Sequence, residues 1–194
     1  MRLTTSDELT ASVAGQTVAS AFVGAAQRFT TATALRWKDG DQWVSLDWSQ
    51  YADRVARAAG GLRALGVGPG DRVVLMIRNV HEFHVVDAAA YFLGATPISL
   101  YNSSSSEQIQ YLTNHCHAVV AIVEDAPFLA RFTEVRSGLP DLRHLGTVRG
   151  GGEFTYDELL AYAPIDLEAA AATIEPGQLA TVIYTSGTTG PPKA

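Results

Sequence analysis

The stretch RVVLMIRNVHEFHVVDAAAYFLGATPISL, residues 72–100, decides the fold. Arg72 to Ile77 reads as a short apolar strand, Val80 to Leu93 as a mostly apolar helix, and Thr96 to Leu100 as a second strand. Neither strand alternates apolar with polar positions. A continuous apolar run suits a strand covered on both faces, as parallel sheets require. The helix between them supplies the crossover that parallel pairing needs.

The alternation continues downstream. Ser105 to His115 reads as a helix, Val119 to Val123 as a strand, Pro127 to Ser137 as a helix and His144 to Val148 as a strand. Tyr156 to Tyr162 and Leu167 to Ala172 are short helical pieces, Pro176-Gly177 a turn, and Leu179 to Tyr184 a last strand. Gly150-Gly151-Gly152 reads as a surface loop, because no apolar strand feeds directly into a helix there. The class predicted is α/β, a doubly wound, mostly parallel sheet flanked by helices.

Upstream the period changes. Asp47 with Gln50 three residues later fits a capping box, and Trp48, Tyr51, Val55, Ala59 and Leu62 line one face of a helix that runs to Gly66. Before it, ALRWKDGDQWVSL alternates around Asp39-Gly40, which predicts a β-hairpin over Ala34 to Leu46. Val18, Ala21, Phe22, Ala25 and Phe29 recur at helical spacing, so Thr17 to Phe29 is read as an amphipathic helix.

With 194 residues and 47% hydrophobic composition, the chain can bury a substantial core. Its 14 basic and 20 acidic residues give a net charge of -6 and no basic cluster, which argues against a nucleic-acid partner. Cys116 is the single cysteine, so no disulfide framework exists and a cytoplasmic setting is expected. The opening MRLTTSDELTASVAG places Asp7 and Glu8 where a secretion signal needs an apolar core. The apolar run from Val85 to Leu100 is broken by Asp87, Gly94 and Pro97, and no transmembrane segment is expected.

The candidate site is YTSGTTGPPK, Tyr184 to Lys193. It leaves the carboxyl end of the last predicted strand, where open α/β sheets place their ligands. Gly187 and Gly190 let the backbone fold back so that successive N–H groups can face one anion. Thr185, Ser186, Thr188 and Thr189 add hydroxyls and Lys193 a positive charge, which together suit a polyphosphate. The phosphate loop GxxxxGK[ST] does not fit: Pro192 stands where its second glycine would be, and Ala194 where its Ser or Thr would be. Pro191 and Pro192 also lack N–H donors and hold the chain extended.

YTSGTTGPPK resembles the phosphate-loop signature of the adenylate-forming superfamily, which includes acyl-CoA synthetases and the adenylation domains of peptide synthetases. LRALGVGPGDRVVLMIRN and GATPISLYNSSSSEQIQYLTNH are similar to earlier elements of the same family, the latter in the form typical of long-chain fatty acyl-CoA synthetases. The resemblance covers most of Trp48 to Lys193. Gln178 stands where an acidic residue is common, and Ala194 where glycine is common.

The resemblance implies a two-step reaction. A fatty acid carboxylate attacks the α-phosphate of ATP to give acyl-adenylate and pyrophosphate, and coenzyme A then takes the acyl group. Thr185, Ser186, Gly187, Thr188, Thr189, Gly190 and Lys193 would hold the β- and γ-phosphates with Mg²⁺, and none of them is a nucleophile. It implies three segments: residues 1–46 (helix and hairpin), 47–178 (α/β subdomain) and 179–194 (strand and phosphate-binding loop). Together these would be the N-terminal portion of a larger AMP-binding domain. The adenine, Mg²⁺ and hinge segments and the C-terminal domain would follow Ala194, so the chain is expected to be an inactive N-terminal fragment. Self-association as a homodimer, peripheral contact with a membrane, an adenylation domain that loads a carrier protein, and a non-catalytic interaction module stay open.

Other motifs have plainer readings. His81-Glu82-Phe83-His84 misses the zinc motif HExxH by one position. His115-Cys116-His117 falls at a helix-to-strand junction, where consecutive side chains diverge, so a helix-end cap and a small buried thiol are expected. Around Ser103 to Ser106, both Ser104/Glu107 and Ser105/Gln108 fit a capping box.

Overall fold

A computed structural model describes residues 5–185. The chain runs α1 (Ser6–Val13), α2 (Val18–Arg28), β1 (Thr33–Asp39), β2 (Gln42–Asp47), α3 (Trp48–Ala64), β3 (Arg72–Met76), α4 (His81–Phe92) and β4 (Thr96–Ser99). It continues through α5 (Ser106–His115), β5 (Val120–Val123), α6 (Ala126–Val135), β6 (His144–Thr147), α7 (Tyr156–Leu160), α8 (Leu167–Ala171) and β7 (Val182–Ile183).

β1 and β2 form the antiparallel hairpin, and the other five strands form one parallel sheet in the order β6-β5-β3-β4-β7. The continuous apolar runs do what the sequence predicted: successive residues serve opposite faces. Val73 and Leu75 of β3 join the core formed with α2, α3 and α4, while Val74 and Met76 join the core under α5 and α6. All four are fully buried. Sheet faces covered by helices on both sides are the doubly wound arrangement. Gly61 brings two elements of the first layer together: a Cβ there would lie 2.8 Å from the Leu159 Cα, so α3 meets α7 only because the side chain is absent.

Four local details differ from the sequence reading. α1 was not anticipated; Thr5 and Glu8 close a capping box at its start, yet it buries no residue. The hairpin turns on Gly40-Asp41, one position later than Asp39-Gly40, because Gly40 (φ 57°) supplies the positive φ at the first central position. Of the two candidate boxes before α5, Ser105 with Gln108 is the one formed. The last strand is far shorter than Leu179 to Tyr184.

Its shortening has a cause in β4. The N–H groups of Thr96 and Leu100 point to β3, bonding Asp71 and Leu75, so the odd-numbered residues face β7. Pro97 is one of these and has no N–H, and the ladder is confined to Ile98↔Val182 and Ser99↔Ile183. Side chains replace the missing rungs: Thr181 Oγ1 donates to the Pro97 carbonyl at 3.2 Å, and Thr96 Oγ1 to the Leu179 carbonyl at 3.2 Å. No single helix among the described residues is long and apolar enough to cross a membrane.

Candidate functional site

All five parallel strands end at one edge, and a polar or charged residue follows nearly every apolar run there. Around β3 and β5 the edge is tied by ions. The Arg78 N–H donates to Glu124 Oε2 at 2.8 Å, and the guanidinium lies 3.1 Å from Glu124 and 2.7 Å from Asp125, over the Phe128 ring at 4.4 Å. Burial works against the Asp125 charge, but the Arg78 hydrogen bond and the Phe128 N–H hold its carboxyl below the ordinary range. At β6, Arg149 bonds the buried Glu82 at 2.9 Å. His81 stacks on Trp37 with ring centroids 4.0 Å apart, and burial lowers its pKa.

The β7 end is built differently. Tyr184 is 3% exposed and packs into the core under α5, while Thr185, the next residue, is exposed. The Tyr184 hydroxyl sits 2.7 Å from His115 Nδ1, with the two rings edge to face at 5.6 Å. Burial pushes the Tyr184 hydroxyl up to about 12, with the neighbouring Cys116 and Tyr111 adding to the rise. Burial likewise pushes the Cys116 thiol up to about 11. Tyr184 therefore stays protonated at neutral pH, and its neighbour Cys116 stays a thiol.

Of the predicted site residues, Thr185 is placed at the carboxyl end of β7, with its side chain on the surface. Ser186, Gly187, Thr188, Thr189, Gly190 and Lys193 lie outside the described residues. The His115-Cys116-His117 run does diverge: His115 reaches Tyr184, Cys116 is buried in the core, and His117 (φ 54°) pairs with Asp141 at 2.8 Å on the surface. In the motif at residues 81–84, Glu82 serves Arg149, while the His84 carbonyl accepts from the Tyr51 hydroxyl at 3.0 Å. Gly150 and Gly151 lie in the loop after β6, with φ of 89° and 93°.

Sequence reasoning missed the Arg78–Glu124–Asp125 network and the His115–Tyr184 pair. The signal available for the first was a charged residue directly after each of two apolar runs. The second had none, since 69 residues separate the partners.

Comparison with known proteins bears on this geometry. The sequence profile of the AMP-binding enzyme family matches residues 22–194, nearly the whole chain. The chain belongs to that family. Among its relatives, the long-chain-fatty-acid–CoA ligase FadD15 of Mycobacterium bovis is 34% identical over 155 residues, which are 78% of this chain and 26% of that protein. The long-chain-fatty-acid–CoA ligase ACSBG2 of Xenopus laevis is 28% identical over 203 residues, covering 100% of this chain and 28% of that one. The chain thus spans about a quarter of the length of these relatives. A shorter relative, protein Rv1549 of Mycobacterium tuberculosis, is 38% identical over 117 residues, 60% of this chain and 66% of that protein. Among solved structures, the N-terminal domain of FACL13 from Mycobacterium tuberculosis superposes with a TM-score of 0.77 at 22% identity, over 90% of this chain and 42% of that one. At that identity the likeness establishes the shared fold.

Proposed function

We propose that this chain forms the N-terminal part of the AMP-binding domain of a fatty acyl-CoA synthetase, which joins a fatty acid to coenzyme A at the expense of ATP. The observation that carries the reading is the position of YTSGTTGPPK: it follows the carboxyl end of a parallel strand, in a chain whose family match extends through it. The substrate class rests on the named activity of the relatives at 34% and 28% identity.

In this reading, Thr185, Ser186, Thr188 and Thr189 donate hydroxyl hydrogen bonds, Gly187 and Gly190 turn N–H groups inward, and Lys193 carries the positive charge. These groups hold the β- and γ-phosphates and disperse charge on departing pyrophosphate. Mg²⁺, whose ligands the family resemblance places after Ala194, would neutralise phosphate charge beside these donors. The segments 1–46, 47–178 and 179–194 are proposed as the helix-and-hairpin, α/β and phosphate-loop portions of one domain. The 194 residues by themselves, about a quarter of a relative's length, are proposed to be inactive, since a phosphate cradle alone cannot align the α-phosphate for attack. A cytoplasmic setting accompanies this reading.

In the enzyme containing this chain, Lys193→Ala should slow acyl-adenylate formation, read as fatty-acid-dependent ATP–pyrophosphate exchange, by roughly 100-fold. Thioester formation from supplied acyl-adenylate should change far less. Equal slowing of both steps would remove the leaving-group role, and exchange by the isolated 194 residues would remove the fragment reading. The relative Rv1549 favours a second reading: 117 aligned residues make up 66% of it, so a short protein of this kind exists. A non-catalytic module is the function that reading assigns, and pyrophosphate binding without exchange in the complete gene product would select it.

A further inference from the structure

The segment that leads into the phosphate loop is held unevenly. On the side away from the loop, side chains staple it to the start of β4: Gln178 Nε2 donates to the Gly94 carbonyl at 2.6 Å, Thr96 Oγ1 to the Leu179 carbonyl, and Thr181 Oγ1 to the Pro97 carbonyl. Two residues of ladder follow. Ile183 is 70% exposed and contributes little packing. On the loop side Tyr184 has a buried ring, and its hydroxyl meets His115 Nδ1 at 2.7 Å with the Cys116 thiol beside it.

The pair can be made in either direction: with the imidazole proton on Nε2, His115 Nδ1 accepts from the Tyr184 O–H, and with the proton on Nδ1, the Tyr184 oxygen accepts from it. His115 can serve because it is the last residue of α5 and is exposed, so Nε2 is free to meet water. Tyr111, one turn earlier on the same helix, flanks the imidazole with ring centroids 5.7 Å apart. The ring is thereby held between Tyr111 and Tyr184.

We propose that His115 is a positioning residue for the polyphosphate site: by holding the Tyr184 hydroxyl it fixes the direction in which the chain leaves β7 at Thr185. This rests on the reading of residues 185–193 as a phosphate loop. A cradle of N–H and hydroxyl donors works only when its donors converge, and an error of an ångström at its root weakens all of them together. His115 touches no substrate and acts through Tyr184.

The test has two arms, both on the enzyme that contains this chain. In the first, amide hydrogen exchange is followed at Val182 to Thr185. His115→Ala should speed exchange there by up to about tenfold, the factor expected for loss of one partly buried hydrogen bond, while β3 and the urea midpoint stay unchanged. His115→Asn, whose side-chain amide oxygen can take the place of Nδ1, should restore protection. Tyr184→Phe should match His115→Ala, and the double variant should be no worse than either, because both remove the same contact.

The second arm titrates inorganic pyrophosphate. Binding should weaken by about tenfold in His115→Ala and recover in His115→Asn. Unchanged exchange at residues 182–185, or additive effects in the double variant, would overturn the anchor. Faster exchange with unaltered pyrophosphate affinity would overturn the positioning role alone and leave the phosphate loop standing. No pyrophosphate binding by the unsubstituted enzyme would overturn the phosphate-loop reading and this role with it.

Discussion

β3 and β7 belong to the same parallel sheet and are built on different principles. β3 is paired on both sides, with four partners in β4 and four in β5, and Val73 to Met76 are wholly buried between two helical layers. Among the described residues, β7 pairs with β4 at two positions, and one of its two residues lies open to solvent. Packing holds the first, and a few polar contacts hold the second. Segments of low local stability are where ligand-binding loops can be placed without loosening the core. The comparison teaches that stability and the candidate function are separated along the sheet, by two strand spacings.

The largest expected effect tests that separation directly. Leu75→Ala in β3 should cost about 3 kcal/mol, by lost transfer energy and the cavity left behind. Ile183→Ala in β7 should change stability by less than about 0.5 kcal/mol. Urea denaturation of the two variants measures both. Similar losses would mean that β7 is part of the cooperative core and that the contrast is wrong.

A second effect, of opposite sign, lies over β3. Asp87 sits mid-way along α4, and burial pushes its carboxyl from 3.8 to about 6. Its charge also helps raise the Tyr51 and Tyr91 hydroxyls, secondarily to their own burial. The folded state therefore binds the Asp87 proton more tightly than the unfolded state does. This contribution favours folding most below pH 4, and stability falls as pH rises from about 4 to about 6. Above that the charged, partly buried group is a constant cost. Asp87→Asn should raise stability at pH 7 by up to roughly 2 kcal/mol and flatten the pH dependence between 4 and 6. An unchanged pH profile would show that Asp87 is solvated in the folded state, and that α4 covers the sheet less tightly than its burial suggests.

The central sheet was legible in sequence because its cause is local. A strand buried on both faces must be apolar at consecutive positions, and residues 73–76 and 120–123 declare this without reference to any partner. The hairpin and the α3 cap were legible for the same reason, since Gly40 and the Asp47/Gln50 pair act within a few residues. What could not be read depends on partners far along the chain. The length of β7 is set by Pro97 on its neighbour, and the anchor of Tyr184 by His115. The candidate loop was read from its donors and its place after a strand, of which the structure places Thr185. α1 was overlooked because its capping box is followed by no apolar stripe, and in the folded chain it buries nothing.

The smallest effect separates the two ends of the β7 segment. Thr181→Val keeps shape and removes the hydroxyl that bonds the Pro97 carbonyl, a contact at 3.2 Å in a half-buried setting. The loss should be about 0.5–1 kcal/mol, since the carbonyl left behind is partly open to water. Exchange at Val182 should rise, but pyrophosphate affinity should move by less than about twofold, because Tyr184 still fixes the chain where the candidate loop begins. The measurement is the ratio of the two changes, set beside the same ratio for His115→Ala. A drop in affinity as large as that of His115→Ala would show that the whole segment moves as one unit. The distinction between its stapled side and the Tyr184 anchor would then have no functional meaning, and β7 would have to be described as one weakly held element.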